Sequence, residues 1–310
     1  MKLRIIQNRK YYYLVSGILF LIGVFALIAW GLKPGLDFTG GSLLEVNFDA
    51  NRPNVVAVNE ALKPLNLGEL KVQSAGDKSM MLRFKTVDQA THQKILDTMS
   101  TKFSPAQSED GTVKELRYES VGPVIGKELT NKAWMAIIIA SLAIVLYIAY
   151  AFRKVSRPVV SWKYGVAAIV ALIHDITIVA GLFAVLGHFA GIEVDALFIT
   201  ALLTVLGFSV HDTIVVFDRT RENLSKHYTA DFEQVVNDSV NQTMSRSINT
   251  SLATLLVLIA LFLFGGETIK YFVLALIAGI AVGTYSSIFV ASPIVVDWHK
   301  FDQKRKLSVK

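Results

Sequence analysis

The chain has 310 residues, 53% of them hydrophobic and only 18% charged, with a formal net charge of +6 and a mean hydropathy of +0.47. That is too apolar for an ordinary soluble domain, so most of the chain is expected to lie in lipid. Cysteine is absent, which excludes disulfides, thiol catalysis and thiolate metal sites but says little about compartment. Nor does the positive charge describe a nucleic-acid-binding surface. Residues 33–132 hold thirteen basic and thirteen acidic side chains, so the excess sits elsewhere, mainly beside the apolar runs.

In chain order, Lys2, Arg4, Arg9 and Lys10 precede an apolar run from Tyr11 to Leu32. At about 1.5 Å per residue this run crosses a hydrocarbon core of about 30 Å. A signal peptide would begin in the same way, but the length and the spans that follow favour an uncleaved first helix, with Tyr11, Tyr12, Tyr13 and Trp30 as its aromatic belts. Five further runs follow: Ala133 to Phe152, Val160 to Leu186, Val194 to Phe217, Ile248 to Phe264 and Ile269 to Val296. Arg153, Lys154, Arg157 and Lys163 lie between the second and third helices, and Arg219, Arg221, Lys226 and Arg246 between the fourth and fifth. Lys300, Lys304, Arg305, Lys306 and Lys310 close the chain, whereas Gly187 to Glu193 and Gly265 to Thr268 contain no Lys or Arg. The positive-inside rule therefore puts both termini in the cytoplasm. The expected divisions are a tail and first helix over 1–32, an extracytoplasmic domain over 33–132, a five-helix bundle over 133–298 with a cytoplasmic loop at 218–246, and a basic cytoplasmic tail over 299–310.

Residues 33–132 are too long and too polar for a loop. The pattern predicts strand (Ser42 to Phe48), helix (Pro53 to Leu65), strand (Leu70 to Ser74), strand (Met80 to Phe84), helix (Val87 to Met99) and strand (Val113 to Glu119). Leu82 and Phe84 alternate with Arg83 and Lys85, and Asn51 before Pro53 suits a helix start. This is the order of a βαββαβ, ferredoxin-like α+β domain. It lacks a phosphate-cradling loop, metal-spaced histidines and a nucleophile elbow, so it reads as a binding or lever module and not a catalytic one. His92 reads as a helix surface residue.

The chemistry is concentrated in the membrane. His211 and Asp212 fall within an apolar run, and an ionisable group near the bilayer centre costs about 2.5 to 3.5 kcal/mol on insertion scales, so it faces a bundle interior, a partner or water. An ion or proton pathway is the functional reading; a carboxylate low enough to reach interfacial water is the structural one. His174 and Asp175 lie mid-helix in the third span. Neighbours on a helix are about 100° apart, so the two are expected to serve different contacts, as interhelical glue or as proton carriers. The two His-Asp pairs also permit a zinc reading, but no third ligand stands at a suggestive spacing. Arg246 opens the fifth span, as a headgroup anchor or as a cation that holds the Asp212 carboxylate ionised. Asn249, Thr250, Ser251 and Thr254 form a polar stripe there, lining a hydrated path or bonding across helices. In the sixth span Gly279 and Gly283 make a small-xxx-small pair, extended by Ser286 and Ser287.

The segments LDFTGGSLLEV, ESVGPVIGKEL, DALFITALLTVLGFSVHDTIVVFDRTREN, SRSINTSLATL and GTYSSIFVASP, in this order and topology, resemble the SecF family. SecF is the smaller subunit of the SecD/SecF accessory complex of the bacterial protein translocase, within the RND transporter superfamily. The resemblance implies a half-transporter of the bacterial cytoplasmic (inner) membrane, paired with a six-helix SecD that supplies the other half. It implies use of the proton motive force in late steps of export of unfolded preproteins, downstream of the SecYEG channel and SecA, with no catalytic site and no cofactor beyond the ion gradient. Sodium in place of the proton stays open. By the same resemblance the family's fourth-helix carboxylate falls on Asp212 and its fifth-helix arginine on Arg246. Asp37, Phe38, Thr39, Gly40 and Gly41 match the motif at the start of the external domain, which from the residues alone is a Gly-Gly turn. His211 stands where the family usually has Asn. A small-molecule or lipid exporter of the same superfamily, and a passive scaffold, are the competing classes.

Overall fold

The structure is a computed structural model that describes residues 3–48, 52–103, 113–151, 159–226 and 231–308. Arg153, Lys154 and Arg157, which carry part of the orientation reading, lie outside the described residues, as do Lys2, Asn51, Phe152 and Lys310. The chain divides into two units, residues 1–33 with 133–310, and residues 34–132.

The smaller unit has the predicted fold. A single helical turn, α2 (Leu36–Thr39), leads into β1 (Gly41–Phe48). There follow α3 (Val55–Leu62), a 3-10 turn to Leu65, β2 (Lys71–Ala75), β3 (Ser79–Phe84), α4 (Gln89–Phe103) and β4 (Val113–Val121). The sheet order is β2-β3-β1-β4 with every pairing antiparallel, the ferredoxin-like arrangement. Leu44, Val46, Met80, Leu82, Ile95 and Met99 are buried in its core. Asn54 caps α3 through Val56 N–H, and Asp88 accepts from Thr91 N–H at the start of α4. Hydrogen bonding from the Thr91 hydroxyl, and then from its N–H, holds the exposed Asp88 carboxyl below its ordinary range. His92 departs from expectation: it is buried on α4, stacked on Tyr118 with ring centroids 3.8 Å apart, and its Nε2 lies 3.1 Å from Glu115 Oε2. An imidazole presents two flat apolar faces, so burial against a ring suits it as well as solvent does.

Among the described residues, six helices are long and apolar enough to cross a membrane. They are α1 (Arg9–Ala29), α5 (Pro123–Ala151), α6 (Ser161–Ala190), α7 (Ala196–Lys226), α8 (Phe232–Phe264) and a last span made of α9 (Glu267–Ser286), a π turn (Ser287–Ala291) and α10 (Ser292–Ser308). Three boundaries differ from the hydropathy reading. The second span begins at Pro123 and not Ala133, because proline at the start of a helix brings its fixed φ and lacks only an N–H with no helical acceptor. The expected loop at 218–246 is mostly helix, α7 running to Lys226 and α8 starting at Phe232. Asn223 Nδ2 ties the two together through Ser239 Oγ (2.8 Å) and Gln242 Oε1 (2.9 Å). The basic tail is likewise helical to Ser308. Hydropathy marks where lipid ends, not where helix ends. Pro293, just past the π turn, has no N–H to give the preceding turn; Ser292 Oγ donates to Ser287 O at 2.9 Å.

Without a hydrophobic drive between helices in lipid, close backbone approach and buried hydrogen bonds hold the bundle. A Cβ on Gly181 of α6 would stand 2.3 Å from Gly23 Cα of α1, and one on Gly279 of α9 would stand 2.2 Å from Val205 Cγ2 of α7. At one end of the bundle the segment before α1 is strapped to α8. Asn237 Oδ1 accepts from Ile5 N–H (2.9 Å) and Ile6 N–H (3.1 Å), and its Nδ2 donates to Leu3 O (3.1 Å). Ile5 and Ile6 are fully buried beneath the strap. Arg9 reaches Asp297 (2.7 Å) and Glu233 (3.2 Å), and Lys163 is buried against Asp302 and Trp298. Replacing Asn237 by Ala orphans two buried N–H groups at a cost of about 1–3 kcal/mol. The expected outcome is that the Ile5 and Ile6 amides exchange hydrogen about tenfold faster or more, with exchange in α6 unchanged.

Candidate functional site

Two buried carboxyls occupy the bundle in different ways. Asp175, on α6, is 1% exposed and fully engaged. Its Oδ1 lies 2.9 Å from His174 Nδ1, and its Oδ2 accepts from Ser209 Oγ of α7 (2.6 Å) and Ser286 Oγ of α9 (2.8 Å). One turn along, Ser287 Oγ lies 2.8 Å from Thr213 Oγ1 and donates to Ser209 O (3.1 Å). The expectation that His174 and Asp175 serve separate contacts is corrected: they bond each other. Their Cβ atoms diverge by about 100° around the helix, but both side chains extend far enough for their tips to meet along its surface.

Asp212, on α7, is also buried at 3% exposure, yet its Oδ2 has no hydrogen-bond partner. Ser247 and Ser251 of α8 and Thr284 of α9 stand around the carboxyl. Ser251 Oγ and Thr284 Oγ1 bond each other at 2.5 Å, while Ser247 Oγ is buried and unpartnered. This is a hydroxyl-ringed acid with free acceptor capacity, which suits a group that gains and loses a proton.

Around it the expected residues separate. Arg246 is exposed on α8, and no ion pair joins it to Asp212 among the described residues. His211 is exposed as well. Of the polar stripe, Ser251 faces inward and Thr254 is half-buried, bonding Thr250 O, whereas Asn249 and Thr250 face outward. A stripe at positions 249, 250, 251 and 254 cannot lie on one face at 3.6 residues per turn. α8 also exposes Ile248, Leu252 and Leu256.

Gly279 and Gly283 do pack as read, against Val205 and Ser209 of α7. Ser286 and Ser287 do more than extend that face, since they supply Asp175 and Thr213 with partners. In the sheet domain, Asp37, Phe38 and Thr39 form the turn of α2. Gly40 (φ +72°) and Gly41 (φ +126°) follow in conformations that side chains resist, with Gly40 closed against Pro123 and Gly41 against Phe84 O. A Cβ on Gly126 would come within 2.9 Å of Phe38 O, so the motif grips the first turn of α5. No group of three His, Cys, Asp or Glu side chains suited to a metal occurs among the described residues.

Sequence reading missed Ser209, Thr213, Ser247 and Thr284. The available signal was the i, i+4 spacing of hydroxyls in apolar spans, Ser209 with Thr213 and Ser247 with Ser251. Asp175→Ala would strand three donors; at about 0.6–1.7 kcal/mol per intramembrane bond the loss is roughly 2–5 kcal/mol. Asp175→Asn keeps an acceptor for the hydroxyls and gives the imidazole a donor, so thermal unfolding of the detergent-solubilised protein should fall sharply for Ala and by less than half as much for Asn.

Residues 101–301 match the family described as protein export membrane protein SecD/SecF, C-terminal, and residues 25–51 match the SecD/SecF GG motif. The protein translocase subunit SecF of Thermobaculum terrenum is 45% identical over 305 residues, covering 96% of this chain and 94% of that one. The SecF of Anaerolinea thermophila is 41% identical over 298 residues, with the same two coverages of 96% and 94%. The crystal structure of SecDF, a translocon-associated membrane protein from Thermus thermophilus, matches with a TM-score of 0.80 at 32% identity. SecDF in a super-membrane-facing form gives 0.70 at 31%. These matches take in 97% and 100% of this chain but only 39% and 40% of the SecDF chains. With a SecD/SecF model matching most of its length and SecF relatives above 40% identity end to end, this multi-pass membrane protein belongs to the SecF family of protein translocase subunits.

Proposed function

We propose that the chain is the six-helix half of a proton-driven export device, completed by a SecD-like six-helix partner and acting on unfolded preproteins in late steps of their passage through a SecYEG-type channel supplied by SecA. The observation that carries this reading is Asp212, a buried carboxyl with an unpartnered oxygen and three hydroxyls around it. A group in that state binds and releases a proton at low cost in rearranged bonds. The exposed surface of α8 mixes Arg246, Asn249 and Thr250 with bare aliphatic side chains, a composition suited to a second helical subunit and not to lipid. The SecDF relatives, whose chains are more than twice as long as the matched part, support a partner of similar size.

In this reading Arg246 approaches Asp212 in one state of the cycle and leaves it in another, so the carboxyl alternates between ionised and neutral. Moving one proton through 100 mV supplies about 2.3 kcal/mol. A pH difference adds about 1.4 kcal/mol per unit. At 100 mV and one pH unit the two supply about 3.7 kcal/mol, enough to shift a two-state population substantially but short of the roughly 5.5 kcal/mol that inverts it from 1:99 to 99:1. Sodium would serve the same electrostatics. Both termini lie in the cytoplasm of a bacterium whose inner membrane holds the bundle, and residues 33–132 work outside it.

Asp212→Asn should abolish the proton-dependent part of preprotein export in inverted vesicles, while insertion and co-purification of an equimolar six-helix partner persist. Undiminished export in that variant would remove the mechanism.

A further inference from the structure

The bundle contains a feature on the side of α6 away from the Asp212 cluster that proton coupling does not use. α1 and α6 touch backbone to backbone at Gly23 and Gly181 and leave a groove of about 380 Å³ elsewhere along their contact. Tyr13, Gly17 and Phe20 line it from α1, Ile173 and His174 from α6, and Ile294 from α10. Its volume is that of a small-ligand pocket. A Cβ built on Gly17 meets nothing within 4 Å, so this glycine is what keeps the groove open. Val170 and Ile173 at its rim are 43% and 53% exposed, on an apolar face continuous with exposed Leu14, Ile18, Leu21 and Ile22 of α1. The groove is therefore reached from hydrocarbon.

Its polar content is confined to one atom. The Tyr13 hydroxyl is spent on Asp297 (3.1 Å) and the Ser16 hydroxyl lies 3.5 Å from Tyr285 Oη. His174, 6% exposed, is one of the residues lining the groove, its ring stacked with Phe20; its Nδ1 lies 2.9 Å from Asp175 Oδ1, and its Nε2 is buried with no partner. A buried ring nitrogen without a partner is costly in any protonation state. Plain hydrocarbon cannot relieve it, and a nearly all-apolar cleft does not hold water well. A hydroxyl can, because it both gives and accepts and so pairs with Nε2 in either tautomer.

We propose that this groove is a binding site for a membrane-dissolved amphiphile with one hydroxyl on an apolar body, the body lying along Gly17 and Ile173 and the hydroxyl bonded to His174 Nε2. The test is photolabelling of the full chain in phosphatidylcholine nanodiscs with an octanol that bears a diazirine, against the same diazirine chain without the oxygen, at equal concentration in the bilayer. The expected result is saturable labelling of Gly17, Phe20 or Ile173, competed by n-octanol and about five- to tenfold stronger for the alcohol. Gly17→Phe, placed where a Cβ meets nothing within 4 Å, should remove it. His174→Phe should reduce the alcohol to the level of the hydrocarbon probe. Labelling that does not saturate, that survives Gly17→Phe, or that is equal for the two probes would overturn the proposal.

Discussion

A carboxyl group cannot be left bare between helices that meet hydrocarbon on their other side, and the bundle is arranged around that constraint. Asp175 meets it with donors from its own helix and from two others, so α6, α7 and α9 are pinned at one level. The pin works only because Gly279 and Gly283 let α9 approach α7 closely enough for Ser286 to reach across. The π turn that follows shifts the helical phase immediately beyond Ser287, just before Pro293. Glycine spacing and serine pair thus act as one device.

Asp212 lies within the same bundle, on the same helix as Ser209, under the opposite condition. Its surroundings are polar but do not saturate it. A saturated carboxyl is a fastening, because every change of its charge breaks bonds; an unsaturated one is free to change state. The two acids, each preceded by a histidine, therefore differ in how fully their oxygens are bonded. The histidines differ likewise: His174 is locked to its neighbour, and His211 is exposed.

The polar ends of the helices are extensions and not loops. α7 and α8 continue past the apolar runs as a hairpin joined by Asn223, and Asn237 binds the segment before α1 to that hairpin. A displacement of α8 would consequently be felt by the first helix as well as by α7. Within the smaller unit the Gly40-Gly41 pair seats the start of β1 against Pro123 and Phe84.

Helix number, the ferredoxin-like order of the small domain and the family were legible in the chain because each is written in a local pattern: apolar runs about 20 residues long, period-two strands, contiguous motifs. Asp212 and Asp175 were legible for the same reason, since charge inside an apolar run is visible without a fold. Tertiary structure alone decided which of the two is satisfied, because their partners come from residues 34 to 111 positions away and a hydroxyl in a span has no local mark that names its acceptor. It also decided the ends of α5, α7 and α8, where polar residues continue a helix that hydropathy no longer reports. The facing of Arg246, His211 and His92 was settled in the same way, because long or flat side chains turn toward whatever neighbour the fold brings, and sequence spacing carries no record of that neighbour.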